Sequence, residues 1–259
     1  MKIILNSGVK ALIFDLDGTL VDTMPLHYKA WTQVFRGIGV DYPKDLFFKN
    51  AGLPGWKIAD IVLQTAGVRK NFDPLVLSNQ KYEIFNKLVP EVKIIEPVAD
   101  IVYKYYNTMP LSIGTGGHIA TVKLTLKHTE LDRYFDIIVT ADDVSNHKPE
   151  PDTFLECARR MNTPPEYCQV FEDGERGIEA AKRAGMMVTD IRPSFLLFLQ
   201  LQSHSRHLQK PGNIQQEYSL SWHNTEKYRV RACDLVHRLT LLLCRNTGQA
   251  LYTLKLILL

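Results

Sequence analysis

Residues Leu12 to Thr23 read LIFDLDGTLVDT, an apolar run set directly against Asp15, Asp17 and Asp22 with a Gly-Thr pair between the second and third acids. Carboxylates crowded in this way repel unless positive charge sits among them. Three further segments place reactive residues just beyond runs that read as strands: Thr115 and Gly116 in SIGTGG, Lys148 in SNHKPEPDTF, and Glu172 with Asp173 in VFEDGERGI. Asp15, Asp17, Glu172, Asp173, Thr115 and Lys148 are the set that phosphoryl transfer with Mg²⁺ requires. Hard carboxylate oxygens suit that ion, which keeps waters and accepts a phosphate oxygen as a further ligand. Asp15 can attack phosphorus, splitting one difficult displacement into two easier ones. Mg²⁺, Lys148 and the Thr115 hydroxyl can offset the charge spread over the transferring oxygens. Asp17 is spaced to give a proton to the leaving oxygen and later take one from water.

The elements that must carry these residues follow from periodicity. Val9 to Phe14 reads as a buried strand, and helical patterns follow at His27 to Ile38, Trp56 to Thr65 and Asp73 to Leu88, with no convincing strand among them. From about Ile94 the texture alternates. Helices are expected at Pro97–Asn107, Gly117–His128, Pro151–Met161 and Glu175–Ala184, and strands at Met109–Thr115, Phe135–Ala141, Gln169–Glu172 and Met186–Ile191. Such alternation predicts an α/β fold, a Rossmann-like parallel sheet covered by helices, with ligands beyond the carboxyl ends of its strands. The expected organisation is a discontinuous core, residues 1–22 and 93–192, with a small helical cap over residues 23–92 inserted after the first strand. Pro25 marks the hinge. An insert at that position sits over the active face as a lid.

The chain has 259 residues, 45% hydrophobic and 23% charged, with net charge +3. Residues 191–259 hold nine Lys/Arg against three Asp/Glu, so the first 190 residues are acidic overall. The body is therefore not expected to bind nucleic acid. Asn6, Ser7, Gly8 and Lys10 interrupt the N-terminal apolar stretch, and Arg238, Arg245 and Lys255 the Leu235–Leu259 region, so neither a signal peptide nor a membrane span is expected. Four cysteines without paired spacing fit a reducing compartment, and a cytoplasmic location is expected. The segment 193–259 is rich in Gln, His, Leu and Arg. A poorly packed extension, an interaction segment, and read-through or frameshift past the natural stop all fit it; the abrupt change of composition favours the last.

DLDGTLVDT, GTGG, HKPEPDTF and VFEDGERGIEAAKRAGM resemble, in order, the four motifs of the haloacid dehalogenase (HAD) superfamily. HYKAW and WKIADIVL extend the likeness to the β-phosphoglucomutase-like capped subgroup, and within it to bacterial fructose-1-phosphate and 6-phosphogluconate phosphatases. The resemblance spans about residues 9–192. It implies that Asp15 is nucleophile and metal ligand, that Asp17 is acid/base with its main-chain carbonyl on the metal, and that Asp173 is the third ligand, with Glu172 beside it. Thr115, Gly116 and Lys148 would bind phosphate, and His27, Lys57 and Lys81 would serve the cap and substrate. Plainer roles exist for each: a helix cap for Thr115, a solvated turn for Lys148, helix-dipole charges for Glu172 and Asp173, a surface helix position for His27, and exposed side chains for Lys57 and Lys81. Trp31 and Trp56 read as packing residues. Gly174 stands where many relatives carry a small polar residue or alanine. The expected activity is Mg²⁺-dependent hydrolysis of a small sugar phosphate. A mutase that returns the phosphate to the sugar is the nearest alternative, and a non-catalytic protein acting through the basic tail is a second.

Overall fold

The computed structural model describes residues 4–192. Five strands, β1 (Ala11–Phe14), β2 (Leu111–Gly114), β3 (Ile137–Val139), β4 (Cys168–Glu172) and β5 (Met187–Asp190), form one sheet in the order β3-β2-β1-β4-β5. Every adjacent pair is parallel. The three central strands β1, β2 and β4 are buried on both faces, so they read as mostly apolar runs such as ALIF rather than alternating ones, while the edge strands β3 and β5 are half-buried. Leu12 and Phe14 belong to one apolar cluster with Val98 and Val102 of α5 (Glu96–Tyr105) and Val122 and Leu126 of α6 (Ile119–His128). Ala11 and Ile13 belong to another, with Phe154 and Cys157 of α7 (Asp152–Arg160) and Ala180 of α8 (Glu175–Arg183). The alternation along β1 thus produces three layers, helices on each side of one sheet.

Four helices lie between β1 and α5: α1 (Met24–Gly37), α2 (Lys44–Lys49), α3 (Gly55–Thr65) and α4 (Pro74–Leu88). They share an apolar cluster of their own, which includes Trp31, Phe35, Tyr42, Phe47, Ile58, Leu63 and Leu77. Leu26, Ala30 and Phe85 instead join the cluster on the sheet. The chain leaves and returns through a narrow neck. There the Asp22 N–H donates to the Lys93 carbonyl (2.8 Å), the Ile95 N–H donates to the Leu20 carbonyl (2.8 Å), and Val21 bridges Ile94.

Several boundaries differ from the periodicity reading for local reasons. Helix α1 begins at Met24, a turn earlier than His27, because Pro25 occupies a first-turn position where its missing N–H costs nothing. The six residues of α2 are too few to show a helical period, and no sequence pattern announced them. Strand β3 is shorter than Phe135–Ala141 because Thr140 leaves the ladder, its side chain accepting from the Asp142 N–H in a capping box with Asp143. Trp31 is buried as expected, but Trp56 is 47% exposed and is not a packing residue. No helix among the described residues is long and apolar enough to cross a membrane.

Phe14 ties the sheet to its cover: its ring stacks on Phe171 of β4 at 4.9 Å and meets the edge of Phe135 at 5.8 Å. Phe14→Ala should lower the unfolding free energy by about 3–5 kcal/mol. Leu124→Ala, on the exposed face of α6, should stay within about 0.5 kcal/mol of wild type. Urea titration of both variants measures the difference.

Candidate active site

The register of the sheet brings the reactive residues level. Phe14 pairs with Ile113 on one side and Phe171 on the other, so Asp15 stands beside Gly114 and Glu172 at the carboxyl edge. The Asp15 N–H closes the ladder on the Phe171 carbonyl at 3.0 Å. The chain then turns sharply, with the N–H groups of Leu20 and Val21 both donating to the Leu16 carbonyl. Gly18 adopts φ +91°, and a Cβ there would stand 2.4 Å from Asp173 Oδ2. Glycine is therefore required twice over, by backbone conformation and by the neighbouring carboxylate. Thr19 completes the contact, its hydroxyl donating to Asp173 Oδ1 at 2.8 Å.

Lys148 is 3% exposed and sits at the centre. Its ammonium donates to Asp15 Oδ1 (2.7 Å), Glu172 Oε2 (2.8 Å) and the Gly114 carbonyl (3.0 Å). Those bonds use all three ammonium protons. Lys148 is thus a buried partner of the acids rather than a solvated turn residue. The Glu172 carboxylate also accepts from the Gly174 N–H (2.9 Å). Gly177 makes room for it, since a Cβ there would fall 1.8 Å from Glu172 Oε2.

Asp15, Glu172 and Asp173 offer oxygens that all lie within 4.8 Å of one another. One ammonium cannot neutralise three carboxylates, and the imbalance appears in their protonation. Burial, reinforced by Glu172, drives the Asp15 carboxyl well above its ordinary range, and the same two causes lift Asp173 to about 7. The Lys148 ammonium is held protonated well above the lysine range because Asp15 and Glu172 outweigh the cost of burying it. A divalent cation is the charge this all-oxygen set lacks, and the donors fit it. Asp22 lies outside the set.

Asp17 belongs to a second group. Its Oδ1 accepts from the Thr23 hydroxyl (2.6 Å) and faces His27 Nε2 (3.1 Å), while His27 Nδ1 faces the Lys81 ammonium nitrogen (2.8 Å). The line Asp17–His27–Lys81 therefore runs from the end of β1 through α1 to α4. Against the opposing effect of burial, His27 and then Thr23 hold the Asp17 carboxyl at about 2. Lys81, 5% exposed, is lowered to about 7 by burial despite Asp17. His27 is lowered by burial and by Lys81. It stacks on Phe85 at 3.9 Å. Neither His27 nor Lys81 is a plain surface residue.

Thr115 is buried, and its hydroxyl oxygen accepts from the Gly117 N–H at 3.0 Å. It does not cap α6; His118 does, accepting from the Ala120 N–H. A Cβ on Gly117 would stand 3.4 Å from Thr115 Oγ1 and 3.6 Å from Asp17 Oδ2, so this loop faces both groups. Gly116 abuts the inserted segment, its absent Cβ only 2.9 Å from the Gly52 carbonyl oxygen. Lys57 is exposed on α3, and its charge adds to burial in lowering the pKa of His147, the residue before Lys148. Thr19, Thr23, Gly18 and Gly177 escaped the sequence reading as site residues. Gly18 and Gly177 lie inside the quoted motifs, where their flanking acids were the available signal.

Residues 12–191 match the haloacid dehalogenase-like hydrolase family. The chain is 40% identical over 181 residues to a fructose-1-phosphate phosphatase, YqaB, of Escherichia coli, an alignment covering 70% of this chain and 95% of that protein. It is 33% identical over 181 residues to a phosphorylated carbohydrates phosphatase of Thermotoga maritima, covering 69% and 82% respectively. Among solved structures, a β-phosphoglucomutase from Clostridium difficile shares the fold with a TM-score of 0.66 at 22% identity, over 78% of this chain and all of that one. The chain belongs to the haloacid dehalogenase-like hydrolase family and is a phosphatase within it.

The raised carboxyls make a pH-dependent test. Asp173 moves from 3.8 to about 7 on folding, so without metal the folded chain binds more protons than the unfolded chain between those values. The stability from this group is present below 3.8 and is lost as pH rises through about 7. A divalent cation should reverse that loss. At roughly a hundredfold excess over Kd it should raise Tm by about 5–10 °C at pH 8 and much less at pH 5. Thermal melts of wild type and Asp173→Asn, with and without the cation, read this directly; an equal gain in the two proteins would rule the site out.

Proposed function

We propose that this protein is a Mg²⁺-dependent phosphatase of a small sugar phosphate, of the fructose 1-phosphate or 6-phosphogluconate type, working through a phosphorylated Asp15. The observation that carries the reading is the separation of two acid groups at one sheet edge. One is electron-rich and short of a cation; the other holds Asp17 apart on Thr23 and His27. The likeness to phosphatases of phosphorylated sugars supports the substrate class.

Asp15, Asp173 and Glu172, with the main-chain carbonyl of Asp17, would hold Mg²⁺, which when bound neutralises the acids and the phosphate oxygens. Lys148 orients the Asp15 carboxylate, whose second oxygen attacks phosphorus as the bond to the sugar oxygen breaks. Thr115, Gly116 and the adjoining loop cradle the phosphoryl group. The dianionic phosphate raises the Asp17 pKa by like-charge repulsion, and the Asp17–His27–Lys81 line provides the proton that Asp17 hands to the sugar oxygen. In the second half Asp17 takes a proton from water as that water attacks phosphorus, releasing phosphate and Asp15. Residues 23–92 act as the cap, closing over residues 1–22 and 93–192 and excluding bulk water. Lys57, exposed on α3, would contact the far end of the sugar.

Phosphate release should be metal-dependent and should favour fructose 1-phosphate or 6-phosphogluconate over β-glucose 1-phosphate and an aryl phosphate. Conversion of β-glucose 1-phosphate to glucose 6-phosphate with little free phosphate would replace this reading by a mutase. Asp15→Asn should reduce turnover by at least about 10³-fold with the fold retained by circular dichroism; retained metal-dependent turnover would remove Asp15 as nucleophile.

Asp17→Asn should lower kcat by about 10²–10⁴-fold on sugar phosphates. The loss should be smaller on an aryl phosphate, whose leaving group needs no proton. Equal losses on both substrates would show that Asp17 does not act as the acid.

A further inference from the structure

We propose that Phe154 is a positioning residue for Lys148: its ring face holds the ammonium against Asp15, and Gly114 is glycine so that the ring can reach it. The inference rests on the phosphatase reading for its catalytic consequence, though not for the contact itself. Phe154 lies in the first turns of α7 and is fully buried. The Lys148 ammonium stands 4.5 Å from its ring centroid. Its protons already go to Asp15, Glu172 and the Gly114 carbonyl, so the remaining contact is made by charge against the ring's negative face.

Gly114 is the independent observation. Its φ does not demand glycine, but a Cβ there would stand 3.0 Å from Phe154 Cδ1, 3.1 Å from Cε1 and 3.0 Å from Cys157 Sγ. These are side chains of buried, packed residues with little room to yield. The last residue of β2 therefore serves Lys148 twice. Its carbonyl takes one ammonium proton, and its missing side chain admits the ring that flanks the same ammonium.

The other acids leave Phe154 a specific task. Asp15 and Glu172 both pull on one nitrogen from fixed backbones, and a displacement of Lys148 toward Glu172 would turn the nucleophile loose. An apolar side chain could fill the same volume without restraining the charge. Only an aromatic face offers both, and its grip weakens as fluorine withdraws electron density while ring shape is nearly preserved.

The test replaces Phe154 with 4-fluoro-, 3,5-difluoro- and 3,4,5-trifluorophenylalanine in the full chain, with Phe154→Leu as an aliphatic reference and Gly114→Ala as a displaced-ring reference. Two quantities are read: solvent exchange of the Lys148 ammonium protons by ¹⁵N-detected NMR, and kcat with KM for phosphate release. Across the fluorinated series exchange should quicken stepwise and kcat should fall stepwise, reaching about tenfold for the trifluoro ring, while KM stays constant and the protein stays folded at the assay temperature. Gly114→Ala should move both quantities the same way. Ammonium exchange independent of fluorination, in folded protein, would overturn the proposal, and so would a graded exchange with a flat kcat in an active enzyme. If unsubstituted protein releases phosphate from no ester, the phosphatase reading fails by itself, and the exchange series still decides whether the ring holds Lys148.

Discussion

Three clustered carboxylates, two of them buried and paired to one ammonium, are the constraint from which the rest of the site follows. Like charges this close in a dry environment are tolerable only where the shortfall is held by structure or met by a bound cation. The surroundings are arranged to hold it. Strand ladders fix the backbones of Asp15 and Glu172, Thr19 fixes Asp173, and backbone N–H groups at the start of α8 take the free oxygen of Glu172. Gly18 and Gly177 let the acids approach where any side chain would intervene.

The second acid is kept out of this field by a different device. Asp17 lies two residues from Asp15, yet its carboxylate turns to Thr23 and His27 and remains strongly acidic. Two aspartates of one short turn thus sit in opposite electrostatic surroundings, one pushed toward protonation and one away from it. In the proposed mechanism that contrast separates the nucleophile from the proton carrier.

Much of this was legible in the sequence. The buried parallel strands betrayed themselves as short apolar runs, and the residues just beyond them include the acids and the lysine that the fold brings together. Motif order then joined Asp15 to Asp173 across the chain. What stayed hidden depends on contacts that no local pattern records. Helix α2 is shorter than a readable period. Trp56 has the composition of a core residue but lies on an outward face. His27 and Lys81 were visible as candidates; that they form one line ending on Asp17 requires α1 and α4 to pack side by side. The tail, 193–259, with its read-through or interaction readings, lies outside the described residues.

The neck has a consequence for how such a protein diversifies. Because the chain departs after Val21 and rejoins at Ile94, clasped there by backbone hydrogen bonds, the inserted helices are an excursion that leaves strand register untouched. Insertions, deletions and side-chain drift in the part of residues 23–92 that packs only on itself leave the sheet's own core in place. Two ties limit that freedom: Leu26, Ala30 and Phe85 pack on the sheet, and Thr23, His27 and Lys81 converge on Asp17. Under the proposed function, selectivity and chemistry would be inherited as nearly separate traits, joined at one carboxylate.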